Sequence, residues 1–249
     1  MKTIALAVSI SLTLFACLEE RRQEIVASVV KDTIPDTITE REIIAEKSAI
    51  ELNMERLGLV DIRTLDSSIQ VDLRYSSENN FTGRDMYGLL NRCYLQKDVA
   101  MKVVRAQELL RKQFPYYSLL VFDGARPVSI QRYMWDSVNL NPHDRQKYLS
   151  NPNNKSLHNY GAAVDLTIVD DLGNELDMGT PYDFFGELAH PAKEGQSYSE
   201  GKLSVQQITN RELLRTTMRA GGFSGIQTEW WHFNSCSRIR ASEIYTVIE

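Results

Sequence analysis

Two histidine-containing segments constrain this chain of 249 residues more than any other feature. Residues 156–165 read SLHNYGAAVD, and residues 229–232 read EWWH. Together the segments supply two histidines and a carboxylate, a set of three ligands that can hold Zn²⁺ and leave one position open. A second carboxylate stands three residues before the last ligand. The fold must therefore bring two distant segments into contact.

Histidine is scarce in this chain, which has only four, and two of them lie in these segments. A single histidine beside glycine is usually a hydrogen-bonded turn or core residue. The pairing favours a metal site because Trp230, Trp231 and Phe233 surround the second segment with the apolar walls that exclude bulk water. The predicted metal ligands are His158, Asp165 and His232.

The spacing within each segment predicts irregular backbone. His158 and Asp165 are seven positions apart, so one regular strand would aim their side chains at opposite faces. Gly161 permits a sharp bend, which would leave His158 on a loop and Asp165 early in a strand. An offset of three also reverses faces in a strand. We therefore expect Glu229 at a bulge or at a strand start, and not in regular pairing with His232.

The remaining pattern predicts a mixed α and β body. We expect strands at residues 59–65, 70–75, 118–122 and 163–169. We expect helices at residues 97–113, 128–138 and 206–220, the last stopped by two glycines. Helices do not alternate regularly with strands, which favours an α+β fold. The expected architecture is a single catalytic domain with a central, mostly antiparallel sheet flanked by helices.

Charge argues against a polyanionic ligand. The formal net charge is -5, and no basic stripe with interleaved aromatic residues occurs, so we expect no nucleic-acid partner. The 43% apolar content is enough for one sizeable core.

The first residues predict export. Met1 and Lys2 precede an apolar and hydroxyl run that is too short to span a bilayer permanently. Residues 14–17 read LFAC and resemble a bacterial lipobox, whose cysteine is lipidated and becomes the first mature residue. An ordinary signal peptide with an incidental Cys17 is the alternative. We expect a lipoprotein signal peptide over residues 1–16, a membrane anchor at Cys17 and a location in the cell envelope, facing the periplasm.

The next stretch, residues 17–53, is rich in charges and hydroxyl groups, which predicts a flexible tether. A helix over roughly residues 39–54 is the alternative, because good helix formers are frequent there. The catalytic domain then occupies residues 54–249. In an oxidising compartment Cys93 and Cys236 are permitted to form a disulfide, and two buried thiols are the alternative.

Several motifs resemble one enzyme family. The pattern S-x-H-x-x-G-x-A-x-D followed by E-W-W-H is similar to the zinc D-alanyl-D-alanine dipeptidases, the VanX-like group among the D,D-carboxypeptidases and dipeptidases. Four further motifs occur in the family's order, at residues 72–75, 80–83, 123–127 and 178–184. The resemblance covers roughly residues 55–240, and the tryptophan doublet is its most specific part.

The resemblance implies zinc-dependent hydrolysis of D-alanyl-D-alanine or a similar D,D-dipeptide, with one Zn²⁺ per chain. Glu229 would be the general base that takes a proton from the water at the open metal position. Arg126, fixed by the proline that follows it, would stabilise the developing oxyanion. Without the resemblance, a surface salt bridge would be the simpler interpretation of Arg126.

The same resemblance implies a pocket that meets both charged ends of a dipeptide. Asp183 and Asp123 would lie on the ammonium side, and orientation of Arg126 is the alternative role of Asp123. A turn or a helix cap is the alternative for Asp183. Ser156 would lie on the carboxylate side, and Tyr75 would line the pocket.

Two other functions stay open. One is a D,D-carboxypeptidase that trims peptidoglycan stem peptides, which needs an open cleft where a dipeptidase needs a closed pocket. The other is a non-catalytic lipoprotein that binds cell-wall peptides. Such a protein would be expected to have lost a ligand or the base, and this sequence retains all of them.

Overall fold

The computed structural model describes residues 47–138, Arg145 and residues 149–249. The expected signal peptide, Cys17 and residues 17–46 of the expected tether lie outside the described residues. In the part of the chain that is described, no helix combines the length and the apolar character needed to cross a membrane.

Within the described residues, the folded unit already includes Lys47, and so it contains residues 47–53 of the expected tether. Its first helix, α1 (Ala49–Arg56), starts with a capping box in which the side chains of Ser48 and Glu51 each accept a hydrogen bond from the other's backbone N–H. Glu51 is buried and also accepts a hydrogen bond from Arg92 at 2.7 Å. The boundary expected after residue 53 is therefore too late, because residues 47–53 already belong to the folded unit.

A five-stranded sheet forms the centre of the fold. The strands in chain order are β1 (Leu59–Asp61), β2 (Gln70–Val71), β3 (Tyr94–Gln96), β4 (Ser118–Asp123), β5 (Ala163–Val169), β6 (Ser224–Gly225) and β7 (His232–Asn234). The central sheet has the order β2-β4-β5-β7-β6, and β1 pairs with β3 separately. Only β2 and β4 run parallel in the described sheets. The expected α+β fold with a mostly antiparallel sheet is confirmed.

Helices flank the sheet. After α1 come α2 (Lys97–Gln113), α3 (Val128–Ser137), α4 (Glu194–Ser199), α5 (Val205–Gly221) and α6 (Arg238–Ile244). The two long helices, α2 and α5, pack against each other. Gly221 permits their close approach, because a Cβ there would lie 2.8 Å from the Cβ of Ala106 and from the carbonyl oxygen of Lys102. Buried residues of both helices share the main hydrophobic core with residues of the sheet.

Two expected strands are shorter than predicted. β1 ends at Asp61 because a 3-10 turn, Ile62–Thr64, follows, and the Asp61 carboxylate accepts a hydrogen bond from the backbone N–H of Arg63. β2 ends at Val71, and a second 3-10 turn occupies Arg74–Ser76. The predicted helix at residues 97–113 and strand at residues 163–169 are confirmed.

Of the two alternatives left open for Cys93 and Cys236, the structure has two free thiols and no disulfide between them. They belong to different hydrophobic clusters. Cys93 lies in the main core, where its sulfur would be 2.6 Å from a Cβ placed on Gly124. Cys236 packs at a small separate cluster built around Ala162 and Ala241. The alternative of two thiols therefore describes this protein.

Candidate metal centre and substrate pocket

The register of three strands aligns two predicted ligands. Asp165 on β5 lies opposite His232 on β7 and opposite Asp123 on β4. Residues that lie opposite each other on neighbouring antiparallel strands point to the same face of the sheet. These three residues therefore form a row across the sheet. His158 joins the row from a 3-10 turn, Leu157–Tyr160, just before β5.

A capped turn holds His158 in place. The hydroxyl of Ser156 accepts a hydrogen bond from the backbone N–H of His158 at 3.3 Å, and the Asn159 side chain accepts one from the N–H of Ser156 at 2.7 Å. The turn ends at Gly161, whose φ of 64° lies in the left-handed region that favours glycine. The bend expected at Gly161 is confirmed, and it lets the chain turn directly into β5.

The ligand atoms of the three predicted residues converge. His158 Nε2 lies 3.2 Å from His232 Nδ1 and 3.3 Å from Asp165 Oδ1. His232 Nδ1 lies 2.9 Å from the same carboxylate oxygen. A tetrahedral zinc ion with bonds of about 2.0–2.1 Å keeps its ligand atoms about 3.3 Å apart. This set of two imidazoles and one carboxylate therefore fits one Zn²⁺.

Hydrogen bonds on the far side of each imidazole determine which nitrogen faces the cluster. His158 Nδ1 donates to the carbonyl oxygen of Gly124 at 2.7 Å, and His232 Nε2 donates to Asn234 Oδ1 at 2.8 Å. The other nitrogen of each ring is then free to bind a metal. We did not predict Gly124 or Asn234 from the sequence. Asn234 could have been predicted as the partner of His232, because it follows His232 by two residues and their side chains then lie on the same face of a strand.

The carboxylate of Asp165 is held ionised. Burial alone would raise the pKa of Asp165, but attraction and hydrogen bonds from His158 and His232 lower it below its usual range. The second oxygen of Asp165 accepts a hydrogen bond from the Tyr182 hydroxyl at 3.0 Å. The Tyr182 ring packs edge-on against Trp231. Tyr182 was not among the predicted site residues, although it lies in a motif that carries the resemblance.

Glu229 lies at the entrance to the cluster. β7 begins only at His232, so Glu229 precedes the strand and is not regularly paired, as expected. Its Oε2 is 4.0 Å from His232 Nδ1, and its side chain is 34% exposed. Burial raises the pKa of Glu229, and attraction to His232 only partly offsets the rise. A carboxylate in this position can exchange a proton with a molecule beside the cluster.

Arg126 is fixed beside the ligands by several contacts. Its Nε donates to Asp123 Oδ2 at 3.0 Å, and its Nη2 donates to the same oxygen. Its Nη1 donates to Gln131 at 2.8 Å, and the guanidinium lies 5.0 Å from the centre of the Tyr75 ring. Nη2 is 4.0 Å from Asp165 Oδ2. The positive charge of Arg126 is therefore held next to the predicted metal position.

Asp123 has a different place from the one first expected. It is fully buried, and its oxygens accept hydrogen bonds from Arg126 and from the Tyr87 hydroxyl, the latter at 2.6 Å. It does not line the cavity above the ligand cluster. Of the two expected roles, its contacts match the orientation of Arg126 and not contact with a substrate ammonium group.

A cavity of about 530 Å³ opens above the ligand cluster. All the predicted metal-binding, catalytic and substrate-binding residues except Asp123 line it, among them Tyr75, Ser156 and Asp183. The Tyr75 hydroxyl donates to Asp183 Oδ2 at 2.9 Å. Burial raises the pKa of Asp183 well above its usual range, and repulsion by Asp165 adds to the rise. Attraction to Arg126 and the hydrogen bond from Tyr75 only partly offset this rise.

A comparison with known protein families agrees with this geometry. The sequence model of the peptidase M15 family, described as D-Ala-D-Ala dipeptidase, matches residues 55–248. The chain belongs to the peptidase M15 family. The expectation of an enzyme, a metallopeptidase, is thereby confirmed.

Two curated relatives of this M15 peptidase are named D-alanyl-D-alanine dipeptidase. The one from Escherichia coli (strain K12) is 32% identical over 175 residues, which cover 70% of this chain and 83% of the relative. The one from Enterococcus faecium is 30% identical over 192 residues, which cover 71% of this chain and 91% of the relative. A solved structure of the vancomycin resistance D,D-dipeptidase VanXYg, in complex with a D-Ala-D-Ala phosphinate analog, aligns with 64% of this chain and 57% of that chain, at 20% identity and a TM-score of 0.34.

A buried arginine of the M15 peptidase anchors the loop that carries Asp183. Arg211 on α5 donates through Nε to the carbonyl oxygen of Met178 at 2.7 Å, and through Nη2 to that of Leu188 at 3.0 Å. Its Nη1 lies 3.4 Å from Glu194. Arg211 thus ties down the chain on both sides of Asp183. Sequence reasoning missed it, because one arginine in an amphipathic helix carries no distinctive signal.

Proposed function

We propose that this M15 peptidase hydrolyses D-alanyl-D-alanine or a similar D,D-dipeptide. The observation that carries the proposal is one cavity in which a metal-binding cluster, the Glu229 carboxylate and the half-buried Asp183 lie together. The names of the curated relatives support the substrate class. The proposed ligands of a single zinc ion are His158, Asp165 and His232.

The proposed chemistry assigns the proton transfers to Glu229. A bound zinc supplies an activated water and polarises the scissile carbonyl. Glu229 takes a proton from the attacking water and later returns it to the leaving amine. Its raised pKa suits a group that must both accept and donate a proton near neutral pH.

Arg126 is proposed to stabilise the oxyanion that develops as water adds to the carbonyl. Hydrogen bonds to Asp123 and Gln131 fix the position of its guanidinium before the substrate binds. Such preorganised donors are typically worth about 10²–10³ in turnover. Because the charge acts mainly on the transition state, loss of Arg126 should reduce turnover more than dipeptide binding.

Asp183 is proposed to bind the free ammonium group of the substrate. An ammonium group would offset both the burial and the repulsion that oppose ionisation of Asp183. Tyr75 holds one oxygen of this carboxylate in place. The hydroxyl of Ser156 accepts a hydrogen bond from His158, and its proton is available to the substrate carboxylate. An N-acylated peptide has no cation for Asp183, which distinguishes a dipeptidase from a carboxypeptidase.

We also propose that the enzyme is exported and anchored through Cys17. The support is the sequence LFAC after a short apolar run. In this position the enzyme would meet D,D-dipeptides released from the cell wall, and not cytoplasmic precursors. Mass spectrometry of the mature protein should find a lipidated Cys17 at the N-terminus. A mature N-terminus elsewhere would contradict the anchor.

The deciding experiment measures alanine release and bound metal on the same sample. The substrates are D-Ala-D-Ala, its L,D and L,L counterparts, and N-acetyl-D-Ala-D-Ala. We expect one zinc per chain and release from the free D,D-dipeptide, with little from the acylated one. Equal cleavage of the acylated substrate would indicate the carboxypeptidase. A protein that holds no zinc and releases no alanine would indicate the non-catalytic alternative.

A further inference from the structure

We infer that Arg238 binds the C-terminal carboxylate of the substrate, an inference that rests on the proposed dipeptidase function. Arg238 is the first residue of α6, and it lines the cavity. Ala241 of this helix packs against Tyr160, in the turn that carries His158, and Leu157 packs against the same cluster. Arg238 therefore reaches the cavity from the side on which the capped turn lies.

Arg238 is a cation whose charge the protein does not neutralise. Within the described ranges it makes no hydrogen bond or ion pair, although it lines the cavity. Arg126, the other arginine of the cavity, is already bound to Asp123 and Gln131. An unpaired arginine on an open surface is ordinarily only solvated. Arg238 is solvent-exposed, but it lines the same cavity as the metal-binding cluster, so an anionic group that enters the cavity would meet it.

The charges around the cavity complement a dipeptide zwitterion. Asp183 supplies a carboxyl group on a loop that contacts Tyr75, and an ammonium group beside it would favour its ionised form. Arg238 carries the unneutralised cation, on a helix that packs on the turn after Ser156. A guanidinium presents two parallel N–H donors that match the two oxygens of a carboxylate. The carboxylate that Arg238 meets belongs to the residue that leaves after cleavage.

This placement gives Arg238 a role in substrate choice. A peptide that continues beyond the second residue, or one whose C-terminus is blocked, offers no carboxylate at this position. Arg238 therefore selects for a free C-terminus, as Asp183 selects for a free N-terminus. Together the two residues restrict the cavity to short peptides with both ends free.

The test compares D-Ala-D-Ala with D-alanyl-D-alaninamide, which lacks the carboxylate charge, on the zinc-loaded full chain. Wild-type protein should cleave the acid with a kcat/KM about 10- to 100-fold higher than that for the amide, the range expected for a hydrogen-bonded charge. Arg238→Gln should lower kcat/KM for the acid by a similar factor, mainly through KM. It should leave the amide rate nearly unchanged, so that the acid-to-amide ratio approaches one.

Arg240→Gln is the matched control, since Arg240 lies on the same helix, pairs with Glu243 and does not line the cavity. It should keep the wild-type ratio. If Arg238→Gln also keeps that ratio, or loses equal activity on both substrates, the inference is wrong while the dipeptidase function stands. If wild-type protein releases no alanine from either substrate, the proposed function itself fails, and the inference fails with it.

Discussion

The cavity has two walls that are held in place by different interactions. The strand wall consists of Asp165 and His232 with the turn that carries His158, and backbone pairing between β5 and β7 positions it. The loop wall, residues 177–190, carries Asp183 and depends on the side chain of Arg211 at both ends. No single side-chain change removes a strand register, whereas one substitution removes the loop's anchor. We therefore expect changes in the strand wall to affect metal chemistry, and changes beneath the loop wall to affect substrate binding.

The largest effect should follow from removing a ligand of the strand wall. His232→Ala should lose zinc, and turnover should fall by more than about 10⁴-fold because the activated water disappears with the metal. Metal analysis after dialysis and an alanine-release assay measure both effects. His190→Ala is the matched control, since His190 lines the cavity but lies outside the ligand set, and it should keep one zinc per chain. Zinc retained at full stoichiometry by His232→Ala would show that the ligand set is wrong.

A smaller effect, confined to turnover, should follow from changing the base. Glu229→Gln should keep its zinc and its KM but lose about 10²–10⁴-fold in kcat, because the amide cannot accept the proton of the attacking water. The control is Glu187→Gln on the loop wall, a carboxylate that lines the same cavity but pairs with Lys193 at 3.8 Å. Near-native turnover in Glu229→Gln would rule out the assignment of the base.

A substitution beneath the loop wall should separate binding from metal chemistry. Arg211→Lys keeps the buried charge but cannot reach both carbonyl oxygens in the geometry of the guanidinium fork. We expect KM for D-Ala-D-Ala to rise about tenfold, because an unmade buried hydrogen bond costs about 1–3 kcal/mol. Zinc content should not change. Steady-state kinetics and metal analysis test this, with Arg219→Lys, an exposed position on the same helix, as control. Loss of zinc in Arg211→Lys would show that the loop wall also determines metal binding, and that the two walls are not independent.

The smallest effect concerns the cysteines near the strand wall. Because Cys93 and Cys236 are free thiols, no disulfide between them holds this wall, and a reductant should not change the melting temperature. Alkylation without reductant, followed by peptide mass spectrometry, should label both residues in denatured protein. A disulfide-linked peptide pair would contradict this prediction and show that Cys93 and Cys236 are covalently linked.

The strand wall was largely predictable from sequence, and the loop wall was not. The odd spacing of His158 and Asp165 required a bend, and the structure has it at Gly161. Such reasoning works because successive side chains of a strand point to opposite faces, so the number of residues between two positions shows whether they can face the same site. The positions of Arg211 and Tyr182 depend on contacts between residues far apart in the chain, which no local pattern encodes.

Element boundaries failed where side chains compete with the backbone. The strand expected at residues 59–65 stops at Asp61, because that carboxylate binds the N–H of Arg63 and favours a turn. Residues 47–53 were not predicted to belong to the folded unit, because their charge resembles that of the preceding stretch. The buried ion pair of Glu51 with Arg92 explains how such a polar segment can belong to the core.

The row formed by Asp123, Asp165 and His232 links zinc affinity to the arrangement of the strands. A slip of one residue between β5 and β7 would turn every side chain of the moved strand to the opposite face. Such a slip would separate the ligands while leaving the secondary-structure content unchanged. During refolding, zinc should therefore bind only after β7 has paired with β5 in the correct register. An insertion inside β5 or β7 would likewise shift the ligands and remove metal binding.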